Sequence, residues 1–539
     1  MPHWQSKEDL VKLLSTLVGQ ASVTGSEIEK ILPGKIYGEL NRLIYFQEHQ
    51  PFLQLHSMDD GRQFLTALVK KHDAAETIVL VSHFDVVDVE DYGPYKEDAF
   101  NPLKLTGRFE EQIDILPKDV QKDIRTGEWL FGRGVMDMKA GVSLHMAMIE
   151  QAALGEFSGN ILMLTVPDEE VNSAGMIQAV PALLDLAELH GLQYKACLNS
   201  EPMFSNFPGD TNNYIYTGSL GKVLPGFLCY GKETHVGEPF SGLNANYMVS
   251  ELNRELELNV DFCEMLGNEV TPPPTNLIQR DLKEGYSVQI PHIAVSYFNL
   301  LMMKRSLKEI TDSLVRIAKC SSLRIEEHYM TQATKFASLQ DFQPQQVKIN
   351  VVTYEELYEA ASERIGKKEL ELRQSNLIQR NQGIDDRNLS TLIVTELASL
   401  CTHLSPMIVI FYSPPYYPAV YSSENEMIHT TLQQLLEFGK TKYGLDFIQQ
   451  HYFPGLSDLS YTTLQDSEAS LASLTGNMPL YDRGYSLPLE QLRLLNMPVI
   501  NVGPIGRDAH KWTERLHINY AFEILPDFLH FTIENLLKN

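Results

Sequence analysis

The chain has 539 residues, more than one ordinary domain holds, and its 43% hydrophobic and 9% aromatic content is ample for sizeable cores. A net charge of −26 argues against nucleic acid or an anionic membrane surface as the main partner and suits a small, even cationic, ligand. Five scattered cysteines without a CxxC pair, and no apolar run of about eighteen residues, argue against a disulfide framework, a thiolate zinc site and a membrane span, and suit a reduced, cytoplasmic protein.

The first twenty residues carry no signal-peptide pattern and read as a helix capped by Ser6. Strand-like and helix-like segments then alternate. "ETIVLVSHFDVV" is a short valine-rich strand, "MKAGVSLHMAMIEQAAL" a helix, "NILMLTVPDEE" a strand, "GMIQAVPALLDLAELHG" a helix and "YKACLNSEP" a strand. This alternation predicts a mainly parallel α/β sheet flanked by helices. From about residue 213 the texture changes to that of a smaller α+β domain, with strands in "GKVLPGFLCYG", "IAVSYFNLLMM" and "QQVKINVVTYEEL" and helices in "NANYMVSELNRELEL" and "SLKEITDSLVRIAKC". Helical segments resume after 356, followed by the strand "PMIVIFYSPP" and a final strand and helix. The expected organisation is one α/β domain built from 1–212 and 356–539, with an α+β domain, 213–355, inserted.

The segment 161–170 drives a core strand into three consecutive acids, Asp168, Glu169 and Glu170. Adjacent carboxylates at the end of a buried strand are costly unless a cation neutralises them. In α/β sheets ligands sit at the carboxyl ends of the strands. Partners are present there: His83 and Asp85 follow one strand, Asp137 lies in the loop "GRGVMDMKAG", Glu201 follows another strand and His510 follows the last. Such an N/O donor set suits zinc, with manganese and cobalt as competitors. Each piece alone has an ordinary reading as a satisfied polar residue or a solvated loop. Their joint placement at strand ends is what argues for a site.

In this order, HxDxV, GRGxxDMK, DEE, EP and a late GP…AH resemble the M20 family of metallopeptidases and deacylases, over roughly 1–210 and 450–539. The chain length, the "PPYYP" segment at 414–418 and the enlarged middle resemble the RocB-type arginine-utilisation proteins. The resemblance implies a zinc-exopeptidase-like catalytic domain with an inserted lid or dimerisation domain. It implies two divalent ions, Zn2+ first, with Mn2+ or Co2+ as alternatives. His83 would bind one ion and His510 the other, Asp137 would bridge them, and Glu170 and Glu201 would complete one shell each. Asp85 would fix the His83 tautomer. Glu169 would be the general base, taking a proton from a metal-bridging water that attacks an amide carbonyl and returning it to the leaving amine.

In the middle domain, His235 of "GKETHVGEPFSGLNAN" would stabilise the oxyanion, and in dimeric relatives it comes from the partner subunit of a homodimer. Its plain alternative is a polar turn residue before a helix. Gly455, Ser457 and Asp458 of "PGLSDLSY" would line the cleft. Arg507 would anchor a substrate carboxylate or, equally, make a local ion pair. Two departures stand out: the insertion "RFEEQIDILPKDVQKDIRTGE", and the strand "VSYFNLLMM", which lacks the arginine that many relatives carry there. The implied activity is hydrolysis of an amide bond in a small peptide or N-acyl amino acid, arginine-related in the narrower version. The alternative is a catalytically weak binding or regulatory protein of amino-acid metabolism on the same fold.

Overall fold

The structure is a computed structural model and describes residues 3–207 and 209–539. The chain forms two compact units: Met1–Leu220, Ala419–Leu464 and Pro488–Asn539 make the first, and Gly221–Pro418 with Gln465–Leu487 the second. Among the described residues, no helix is long and apolar enough to cross a membrane.

The first unit is built on an eight-stranded mixed sheet. Its order is Leu53–Ser57, Gln63–Val69, Asn160–Val166, Glu76–His83, Gln193–Asn199, Val499–Asn501, Asn213–Tyr216 and Phe447–Gln450. The strands from Asn160–Val166 to Val499–Asn501 run parallel, with Val81 opposite Leu164 and Val79 opposite Cys197. Every residue of Asn160–Val166 is buried, as expected for a strand covered by helices on both faces. The helix Lys139–Leu154 is buried from Lys139 to Glu150 and stops at Gly155, whose φ of 93° is the left-handed C-cap that glycine adopts freely. The N-terminal helix Lys7–Val18 begins where expected, with the Ser6 side chain accepting from the Asp9 N–H.

The insertion after His83 folds into the helices Pro102–Glu111 and Lys118–Ile124, which close a small core of their own around Tyr95, Leu105, Phe109 and Phe131. Beside it, Gly506–Arg507, Arg515–His517 and Trp129–Phe131 form a three-stranded antiparallel sheet. Residues 508–514 are therefore the connection between two paired strands.

The second unit carries a five-stranded sheet in the order Thr275–Asp281, Ile293–Met302, Gly221–Tyr230, Met407–Tyr417 and Asn350–Thr353, together with the helices Ala245–Leu256, Leu307–Ala337, Tyr354–Ile365, Lys367–Arg380 and Asp386–Leu400. Here the boundary differs from the sequence expectation, since 356–418 and 465–487 fold with this unit rather than with the first. The reason is strand pairing. Met407–Tyr417 is antiparallel to Gly221–Tyr230 from Met407 opposite Tyr230 to Ser413 opposite Leu224, so the apolar run "PMIVIFYSPP" belongs to this sheet.

Candidate metal centre

The five expected ligands belong to the first unit. His83 closes the strand Glu76–His83, and Glu169 and Glu170 follow Asn160–Val166 after Pro167. Glu201 follows Gln193–Asn199, Asp137 immediately precedes the helix that begins at Lys139, and His510 lies in the 508–514 connection. Three parallel strands thus deliver a histidine and three carboxylates to one end of the sheet, and two loops bring the rest.

The geometry converges on His83 Nε2. Asp137 Oδ1 is 3.3 Å away, Glu201 Oε1 3.4 Å and Glu169 Oε2 3.7 Å. On its other oxygen, Asp137 Oδ2 lies 3.3 Å from His510 Nε2, which is 3.1 Å from Glu170 Oε2. The Asp137 carboxylate is therefore shared, one oxygen to each imidazole. Ligand atoms of His83, Asp137 and Glu170 all lie within 4.8 Å of one another.

A cation fits this donor set. His83 Nε2 is fully buried yet has no hydrogen-bond partner, though three carboxylates surround it. Burial, with Asp458 and neighbouring glutamates adding to it, pushes the Glu169 and Glu201 carboxyls well above the ordinary range against the pull of His83. Burial also raises Glu170, although His510 opposes it. For Asp137 burial is overcome by His510 and His83, which hold it below the ordinary range. Asp137 and Glu170 push His510 up to about 10. Burial would lower His83, but Glu169, Glu201, Asp137 and Asp85 outweigh it and raise it well above its usual value. Without metal, protons on the imidazoles and glutamates supply the positive charge that a divalent ion would bring.

Asp85 is wholly buried and acts somewhat differently from the expectation. The nearest acceptor to His83 Nδ1 is the Asp85 backbone carbonyl, at 3.1 Å, with carboxylate Oδ1 at 3.5 Å. The carboxylate accepts instead from Thr24 Oγ1 at 2.8 Å, from the Glu169 N–H at 3.1 Å and from the Glu170 N–H at 3.3 Å. One acid thus orients the imidazole and the backbone of the acidic loop together.

Several contributors went unrecognised in the sequence. Arg62 Nη1 is 2.7 Å from Asp168 Oδ1 and 3.2 Å from Glu29 Oε1, tying down the residue just before Glu169, whose φ is 70°. Asn501 accepts the Glu201 N–H through Oδ1 at 2.8 Å and donates Nδ2 to the Glu201 carbonyl at 3.0 Å. Buried Lys139 donates Nζ to the Gln20 carbonyl at 2.7 Å. Arg62 and Asn501 fall in no local pattern, and Lys139, although it is the lysine of GRGxxDMK, has its partner Gln20 far away in sequence.

The remaining candidates separate. Asp458 is buried, and its charge is felt at Glu169 and Glu201. Ser457 is fully buried, and its hydroxyl accepts from Asn199 Nδ2 at 3.2 Å and the Leu459 N–H at 3.3 Å, so it caps the turn Asp458–Tyr461 rather than lying open to a ligand. Gly455 packs close to the Phe453 ring. Arg507 makes an ion pair, donating to both Asp123 oxygens at 3.0 and 2.9 Å, and lies over the Trp129 ring. His235 belongs to the second unit, is exposed, and accepts the Gly237 N–H at Nδ1. A cavity of about 790 Å3 flanks the ligand loops, lined among others by Met136, Met203, Phe204, Asp508 and Lys511.

Comparison with known proteins identifies the family. Residues 109–437 match the peptidase family M20/M25/M40. The chain is 52% identical to YqjN of Bacillus subtilis (strain 168) over 537 residues, 99% of this chain and 98% of that one. It is 30% identical to RocB of the same organism over 550 aligned positions, 100% of this chain and 96% of RocB. Its fold is similar to that of a tripeptidase from Staphylococcus aureus subsp. aureus Mu50, with TM-score 0.54 and 13% identity over 99% of this chain and 100% of that one. The chain belongs to the peptidase family M20/M25/M40 and is an amidohydrolase.

Proposed function

We propose that the protein uses two divalent metal ions, Zn2+ first, with Mn2+ or Co2+ as competitors, to hydrolyse the amide bond of a small peptide or N-acyl amino acid. The observation that carries this reading is the divided Asp137 carboxylate, with one oxygen 3.3 Å from His83 Nε2 and the other 3.3 Å from His510 Nε2. His83 and Glu201 would hold one ion, His510 and Glu170 the other, with Asp137 between them. When bound, such ions polarise a carbonyl and acidify water.

Glu169 adjoins a ligand in sequence and sits 3.7 Å from His83 Nε2, in reach of the same space. We assign its carboxylate the proton transfers: it takes the proton of the attacking water and gives it to the leaving nitrogen. Asp85 holds the Glu169 and Glu170 backbone so that these carboxylates keep separate tasks. Asp458 would face the substrate end of the site, and His235 would contribute to the oxyanion as in dimeric relatives. The resemblance to RocB-type arginine-utilisation proteins favours an arginine-containing dipeptide or an acylated arginine.

The test is metal analysis of the purified protein together with a hydrolysis panel of dipeptides and N-acyl amino acids bearing basic side chains. Two ions per chain and cleavage within the panel are expected. Bound ions without cleavage of any member would place the substrate outside these classes. Absence of bound transition metal would overturn the two-ion reading.

A further inference from the structure

The two histidines of the centre are secured very differently. His83 is 1% exposed and ends a central strand, whereas the His510 side chain is 50% exposed and sits on the 508–514 connection. In that connection Asp508 and His510 have φ values of 58° and 62°, a region non-glycine residues occupy only when their surroundings enforce it. Within the connection, Thr513 and Arg515 donate to Asp508; what remains is how the connection is fixed to the Asp137 loop.

Glu514 closes the connection. It is 0% exposed; its N–H donates to the Lys511 carbonyl at 2.9 Å, and its own carbonyl accepts the Gly132 N–H at 3.1 Å. Its carboxylate reaches into the Asp137 loop, accepting the Met136 N–H on Oε1 at 3.2 Å and Arg133 Nη1 on Oε2 at 2.8 Å. Arg133, 1% exposed, spends its other donors on the segment that follows His83: Nε on the Asp88 carbonyl and Nη2 on Asp91 Oδ1, both at 3.1 Å. One planar guanidinium thus ties together the exit of the His83 strand, the Asp137 loop and the His510 connection.

We propose that Arg133 and Glu514 are positioning residues that lock the His510 connection to the Asp137 loop and so preorganise the second ion's ligands, an inference that rests on the two-ion reading above. A bare stabilising role is the weaker account, because a buried ion pair adds little net stability over an apolar substitute. Residues behind metal ligands, by contrast, typically tune metal affinity ten- to a hundredfold.

The test uses the full-length chain and Glu514→Gln, which keeps an acceptor of the same shape and removes the charge. In metal-free protein, hydrogen exchange in 506–515 and 132–138 is expected to speed up about tenfold or more while Asn160–Val166 stays protected. In competition titrations with Zn2+ and a chelating dye, the first dissociation constant should stay within about threefold of wild type and the second weaken ten- to a hundredfold. Arg133→Lys, which keeps the charge but loses the fork, should repeat the pattern, and it serves alone if Glu514→Gln does not fold. A second constant within about threefold of wild type would overturn the proposal, as would equal weakening of both ions with protection lost throughout the first unit. A wild type that binds fewer than two ions removes the two-ion reading itself, and the positioning role with it; two ions bound alike by wild type and variant remove the positioning role alone.

Discussion

Asp458→Asn offers a test of the acidic site that needs neither substrate nor metal. Asp458 is 2% exposed, and burial pushes its carboxyl from the ordinary 3.8 up to about 7, opposed only in part by the His83 charge and the Ser173 side chain and reinforced by Asp85 and Asp168. Between those two values the folded chain keeps a proton that the unfolded chain has released. Stability therefore falls as pH rises: the contribution is complete below 3.8 and lost as pH passes 7. Three pH units at about 1.4 kcal/mol each make this roughly 4 kcal/mol as an upper order of magnitude. Glu29 and Glu514, pushed up to about 7 by burial, slope the same way. Asp85 and Asp137, held below the ordinary range, lose their contribution only under more acidic conditions. Metal-free wild type should accordingly be more stable near about pH 5 than near about pH 8. The asparagine variant should show a shallower slope and gain up to about 4 kcal/mol over wild type at the alkaline end, with little difference at the acid end. All three tryptophans, Trp4, Trp129 and Trp512, belong to the first unit, so urea unfolding of chelator-treated protein followed by their fluorescence reports on that unit. An unchanged pH slope, or a variant less stable than wild type at about pH 8, would refute the reasoning.

Glu169→Gln should retain both ions by metal analysis while kcat falls roughly 10²–10⁴-fold on any substrate found; turnover near wild type would transfer the base role elsewhere. Metal loading should release protons, because His83 and His510 hold them in the metal-free state and ligating imidazoles must be neutral; calorimetry near neutral pH in buffers of different ionisation enthalpy would show it, and heats independent of buffer would contradict it. A Cβ at Gly503 would lie 1.7 Å from the Glu201 carbonyl oxygen, so Gly503→Ala should cost at least about 3 kcal/mol in unfolding experiments and weaken metal binding; a neutral variant would show that this backbone approach is dispensable.

The candidate site was legible because several strands spell buried apolar runs that end in charge, and their joint placement at strand ends argues for a site. His83, Glu170 and Glu201 carry that signal, and Asp137 carries it in glycine-bounded form. The supporting residues carry none. Arg62, Asn501 and Glu514 are ordinary polar letters until a partner is brought alongside from over a hundred positions away for Arg62, 300 for Asn501 and 381 for Glu514. Asp85 shows the same limit from the other side: HxD predicts contact with the imidazole, but the backbone N–H groups of Glu169 and Glu170 compete for its oxygens and donate the hydrogen bonds they accept.

The misplaced boundary has a related physical origin. A strand buried on both faces is apolar throughout, and Met407–Tyr417, buried at every position, fits equally a parallel sheet under helices or the centre of an antiparallel one. Pairing decides, and pairing depends on the edge available. Within the second unit Gly221–Tyr230 needs a neighbour on each side, and Ile293–Met302 supplies one. Without Met407–Tyr417 on the other, the buried backbone of Gly221–Tyr230 would lack hydrogen-bond partners along that edge, a cost that grows with every residue. The helices after 356 follow from the same pairing: Leu357, Leu370, Ile393 and Leu397 share one core with Met407, Val409 and Phe411, so once the strand joins this sheet they must cover it.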